Sequence, residues 1–111
     1  MKHDPNDPTI VKVGKFPCFP VADISTAHVF EKDSDLLDDD NCPHLLAQLS
    51  FDRAGCILWI GTELKETLES LRAFGFSENF LNLIGELHAA NIRYVRFDRD
   101  GLISEELPIL Q

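Results

Sequence analysis

Basic residues are scarce in this chain: ten Lys and Arg stand against nineteen Asp and Glu, for a formal net charge of −9. The basic residues are also scattered. Arg93, Arg96 and Arg99 come nearest to a cluster, but strand alternation puts Arg93 and Arg96 on opposite faces, and Asp98 and Asp100 flank Arg99. Such a charge balance excludes direct binding to nucleic-acid backbones, because a negative field repels phosphate. Long hydrophobic runs are missing too. The longest covers residues 56–60, far below the ~18–20 residues a membrane helix needs. Cysteine is limited to Cys18, Cys42 and Cys56, with no Cys-x-x-Cys. That odd number excludes a disulfide framework and points to reduced thiols. The opening Met1-Lys2-His3-Asp4-Pro5 has no apolar core of a secretory signal, so a cytoplasmic location is expected. There is no internal repeat and no flexible linker.

What is present is acid. In Glu31-Lys32-Asp33-Ser34-Asp35-Leu36-Leu37-Asp38-Asp39-Asp40, six of ten residues are carboxylates and one is a lysine. Clustered carboxylates attract Arg and Lys on another macromolecule. Glu31, Asp33, Asp35, Asp38, Asp39 and Asp40 are therefore the candidate contacts for a protein partner with a basic surface. The competing reading is a solvated helix face. Asp33 and Asp35 suit the positive start of a short helix over residues 32–39, whereas Asp38, Asp39 and Asp40 oppose the dipole at its end.

The 111 residues, 44% of them apolar and eight of them Phe, allow one domain with a packed core. Residues 1–20 hold four of six prolines, Pro5, Pro8, Pro17 and Pro20. They read as an irregular arm with one short strand over residues 10–13, leaving residues 21–111 as the domain. A strand begins at Val21. Leu45, Ala47, Leu49 and Phe51 alternate with polar positions as in a half-buried strand. Asp52-Arg53-Ala54-Gly55 reads as a hairpin turn, and residues 56–60, apolar on both faces, as a central strand. Thr62 is placed to cap a helix with Leu64, Leu68 and Leu71 on one face. Gly75 is placed to stop it. Ser77 caps a second helix carrying Phe80, Ile84 and Leu87, which Asn91 closes in a left-handed conformation. Residues 92–97 form a strand, Asp98-Arg99-Asp100-Gly101 a turn, and Leu102-Ile103 the start of a last strand. The expected fold is an α/β or α+β domain: a mixed sheet of four to five strands, a helical hairpin as crossover between parallel strands, and one short acidic helix.

No catalytic constellation stands out. If the strands at 21–24, 56–60 and 92–97 run parallel, one sheet edge gathers Ser25, Thr26, His28, Gly61, Thr62, Asp98 and Asp100. His28 with Asp98 and Asp100 is then the alternative site, that of a small metal- or phosphate-handling enzyme or ligand-binding domain. The plain alternative is that the aspartates shape a turn. Tyr94-Val95-Arg96-Phe97-Asp98-Arg99-Asp100-Gly101 resembles the first motif of haloacid-dehalogenase phosphatases. Too few residues follow it for that family's downstream lysine and metal-binding acids. Cys18, Cys42, His28 and His44 match no zinc spacing, so no metal and no cofactor is expected.

Ile24-Ser25-Thr26-Ala27-His28, the acidic helix, Phe97-Asp98-Arg99-Asp100-Gly101 and Leu107-Pro108 resemble a family of small uncharacterised domains on bacterial plasmids and phages. The similarity spans residues 21–108 and carries no catalytic residue with it. It implies an accessory protein of a mobile element. Such a protein would act as an anti-defence inhibitor, a nucleic-acid mimic in the basic groove of a host nuclease complex. A homodimer is compatible with the exposed aromatic character of Phe16, Phe19 and Phe30, but nothing in the chain specifies one.

Overall fold

Alternation of apolar side chains along three strands decides where the core lies. The computed structural model describes residues 8–49 and 55–111. Among them β1 (Val11–Val13) and β2 (Phe16–Cys18) form an antiparallel hairpin. Beyond it follow β3 (Val21–Ser25), a 3-10 turn (Thr26–His28), α1 (Glu31–Leu37), β4 (Leu45–Gln48) and β5 (Gly55–Trp59). Two longer helices, α2 (Leu64–Phe74) and α3 (Glu78–Ala89), precede β6 (Tyr94–Asp98). The sheet order is β3-β6-β5-β4, with β3 parallel to β6 and the other pairs antiparallel. This is one α+β domain with a mixed four-stranded sheet, a separate two-stranded sheet and three helices.

On one face of the sheet Ile24, Val95, Phe97, Cys56 and Leu58 are buried, joined by Leu37 of α1, Leu71 of α2, and Phe80, Leu81 and Ile84 of α3. Phe80 stacks on Phe76 at 4.3 Å between centroids and meets Phe97 at 5.4 Å. That aromatic column joins the helical hairpin to the sheet. On the other face, in register across three strands, Asp23 pairs with Arg96 beside Ile57, and Val21 with Tyr94 beside Trp59.

Local signals account for the helix ends. Gly75 takes a left-handed φ of 116° after α2, and Phe76 N–H returns to Leu71 O. Ser77 Oγ accepts from Phe80 N–H at 3.2 Å, and Asn91 closes the second helix with φ 61°. Thr62, by contrast, caps nothing. Glu63 stands at the start of α2 without a side-chain cap.

Four expectations are corrected. The arm holds a hairpin rather than one strand. Leu102-Ile103 adds no fifth strand; its backbone contact with β3 is Ser25 N–H to Leu102 O. β4 does not keep strict alternation, because its register with β5 shifts between Leu45 and Ala47. Most consequential, β5 and β6 are antiparallel neighbours, so α2 and α3 are not a parallel crossover. One helix carries the chain to the opposite sheet edge, but two antiparallel helices cancel and return it to the edge it left. Of the hairpin turn expected over residues 52–55, residues 52–54 lie outside the described residues and Gly55 opens β5.

Candidate functional site

Helical spacing sorts the acidic run into two populations. In α1, Asp33 shares a face with Leu36 and Leu37, three and four positions on, and that face is buried. Asp33 is fully buried. Its carboxylate accepts from Ser77 N–H at 2.9 Å and Ser77 Oγ–H at 2.6 Å, tying α1 to the start of α3. As a partner contact Asp33 is therefore corrected: no surface can reach it. Asp38 is half-buried at the end of α1. Glu31, Asp35, Asp39 and Asp40 are exposed, and none of the four is ion-paired to Lys or Arg among the described residues. Asp39 also shapes the chain, since its Oδ1 accepts from Asn41 N–H at 2.9 Å.

Of the alternative site, β3 and β6 do run parallel as expected and set Ser25 beside Asp98. With β5 antiparallel, Gly61 and Thr62 lie at the opposite sheet edge from Ser25 and Asp98. His28 is buried, and both its ring nitrogens are engaged: Nδ1 lies 2.9 Å from Pro108 O, and Nε2 accepts from Ser104 N–H at 2.9 Å. Asp98 Oδ1 accepts from Asp100 N–H at 2.9 Å, and Gly101 N–H closes the turn onto Asp98 O. A side chain at Gly101 would meet Ser25 N at 2.9 Å, so this aspartate turn packs against β3. Among the described residues no group of three His, Cys, Asp or Glu is placed to hold a metal ion. His28 thus fastens the C-terminal segment, and Asp98 and Asp100 shape a turn.

Arg96 is also committed. It grips Asp23 through two contacts, Nε at 3.1 Å and Nη2 at 3.0 Å. The hydrogen bond from Arg96 holds the Asp23 carboxyl below its usual range.

The thiols give no nucleophile at the acidic run. Burial foremost, then the Asp39 charge, pushes Cys42 up to about 11. Burial first, then Cys42 and Asp38, pushes Cys56 up to about 12. At Cys42 loss of water is a larger cause than the neighbouring charge. Both thiols should stay protonated at pH 8, and the expected result with a thiolate-selective aromatic disulfide reagent is one rapidly labelled thiol, Cys18. Cys42 and Cys56 should label only on unfolding. Rapid labelling of all three in the native protein would contradict this burial.

The profile for the C-terminal domain of DUF5983, a family of unknown function, matches residues 21–111. The chain belongs to that family. No curated protein and no solved structure matches it. The matched span takes in every strand of the four-stranded sheet, the acidic run and the C-terminal segment held by His28. Among the described residues no helix is long and apolar enough to cross a membrane.

Sequence reasoning missed two features of the domain. One is the Asp33–Ser77 contact, whose signal was the spacing from Asp33 to Leu37. The other is His44, which takes a left-handed φ of 67°. No local sequence signal marks that conformation at a histidine, and it costs about 1 kcal/mol.

Proposed function

We propose that this chain is a small, acidic, non-enzymatic interaction protein of a mobile genetic element, acting in the cytoplasm. In this reading it inhibits a host defence nuclease complex by lodging its carboxylates where the complex holds nucleic acid. The observation that carries the reading is the state of Glu31, Asp35, Asp39 and Asp40. All four are exposed within ten residues and lack an ion pair with Lys or Arg among the described residues. Glu31 and Asp35 lie one helical turn apart, about 6 Å along the axis. That is within the ~8 Å screening length of physiological salt. A basic groove therefore meets a summed field rather than separate charges.

Two features suit a docking protein. The acidic face is held in a fixed orientation, because Asp33 anchors α1 to α3. The 3-10 turn before it is tied to the C-terminal segment through His28. A presented surface that loses little freedom on binding gains affinity.

The test is affinity capture from the native host, followed by competition with nucleic acid for the captured partner. A partner that elutes with salt and is displaced by nucleic acid is expected. Converting Glu31, Asp35, Asp39 and Asp40 to their amides should weaken that binding about tenfold and flatten its salt dependence. Binding that neither salt nor these four substitutions alters removes the electrostatic mechanism.

A further inference from the structure

A cleft of about 240 Å³ lies where β5 ends and α2 begins, lined by His44, Trp59, Gly61, Glu63, Glu66 and Ser70 among others. The Asp38 end of the acidic run lies at the other end of β5, where it lines a small cavity with Gly55 and Cys56. Five residues of strand, roughly 13 Å, separate the two sites. The cleft is therefore separate from the acidic run.

Three observations show a shaped site. Gly61 has an ordinary backbone conformation, so its lack of a side chain serves space rather than a turn. A Cβ there would lie 2.6 Å from Thr67 Oγ1, 3.7 Å from the His44 ring and 3.9 Å from the Trp59 ring. His44 is held in its left-handed conformation at the cleft. Its carbonyl accepts from Trp59 N–H at 2.9 Å, its Nε2 lies 3.1 Å from Ser70 Oγ, and its ring centroid is 5.7 Å from that of Trp59. Glu63 and Glu66 are among the residues lining the cleft, their carboxylates have no hydrogen-bond or ion-pair partner among the described residues, and no described Lys or Arg lines it.

The chemistry follows from those walls. Two carboxylates exclude an anion, even at the start of a helix. An indole beside unpaired carboxylates attracts a cation. A flat imidazole next to the indole favours a planar cation over a compact ammonium, and a guanidinium also matches a carboxylate through paired N–H groups. Burial lowers the His44 pKa below its ordinary value, so the ring stays neutral and does not repel such a ligand.

We infer that the cleft between β5 and α2 is a guanidinium-binding site, with Glu63 and Glu66 engaging the charge and Trp59 and His44 supplying two ring faces tilted by 41°. The guanidinium belongs either to an arginine of a bound protein or to a free arginine-like molecule.

Trp59 is the sole tryptophan, so its emission reports the site directly. The full chain is titrated with N-acetyl-arginine amide, with the uncharged isostere N-acetyl-citrulline amide, and with a short Gly-Ser peptide carrying one central arginine. Saturable change with both arginine probes is expected, with citrulline about tenfold weaker or silent. The double variant Glu63→Gln, Glu66→Gln should weaken arginine binding about tenfold while far-ultraviolet dichroism stays unchanged. Peptide binding tighter than the amide assigns the site to a protein partner, and equal binding assigns it to a free small molecule. An equal response to citrulline, no saturation with either arginine probe, or unchanged affinity in the double variant overturns the inference.

Discussion

Replacing Asp33 by Ala is expected to destabilise the domain by about 3 kcal/mol, because it strands buried donors and deletes a charge-assisted contact. On a chain of this size that lowers the melting temperature by roughly 10–20 °C. The structural reason is a relay. Asp33 accepts from both the N–H and the hydroxyl of Ser77, and the same Ser77 oxygen accepts from Phe80 N–H. Removing the carboxylate leaves the Ser77 donors facing a void, and it removes a negative charge from the positive start of α3. Phe80 stands in the aromatic column that joins the helices to the sheet, so the loss is transmitted to the core. Asp33→Asn keeps one acceptor and should cost about 1 kcal/mol. The exposed neighbour variant Asp35→Asn should fall within about 0.5 kcal/mol of the parent. Denaturant melts of the three variants check this, and an Asp33→Ala protein as stable as Asp35→Asn would falsify the anchoring role.

His28→Ala is the second large effect, also about 3 kcal/mol, from two lost hydrogen bonds and a cavity left by a buried ring. With a carbonyl at Nδ1 and an N–H at Nε2, only the neutral ring protonated on Nδ1 satisfies both partners. The ring joins the turn at Thr26–His28 to residues 104 and 108, some eighty positions away. The final residues return to the same turn, with Leu110 N–H donating to Ala27 O at 2.7 Å, and the Gln111 amide donating to Thr26 O and Val29 O. Amide exchange should therefore accelerate first at Ser104, Leu110 and Gln111, while Val95 and Phe97 in the sheet keep their protection. His28→Asn can still donate toward Pro108 O and should recover part of the loss. A catalytic histidine behaves differently: its alanine variant keeps stability and loses only activity. Full retention of Ser104 protection in His28→Ala would remove the clamp.

The chain alone determined those features that depend on neighbours in sequence. Gly75, Ser77 and Asn91 set the ends of α2 and α3 through backbone conformation and capping, which act over one helical turn. The apolar run over residues 56–60 marked β5 as an inner strand, and it lies between β6 and β4. Within β5 only Cys56 and Leu58 face the core, while Ile57 and Trp59 are partly covered on the other face. The concentration of carboxylates before residue 41 was equally legible, being composition. Tertiary structure alone decided the rest. Strand direction depended on where the two helices returned the chain, so β5 runs against β6 and Thr62 lies at the opposite sheet edge from Ser25 and Asp98. The fate of each acid depended on distant residues. Ser77, forty-four positions from Asp33, turned one member of an acidic run into an internal anchor and left Glu31, Asp35, Asp39 and Asp40 at the surface. Burial and hydrogen bonding are properties of contacts between remote segments, and local propensity carries no information about which segments will meet.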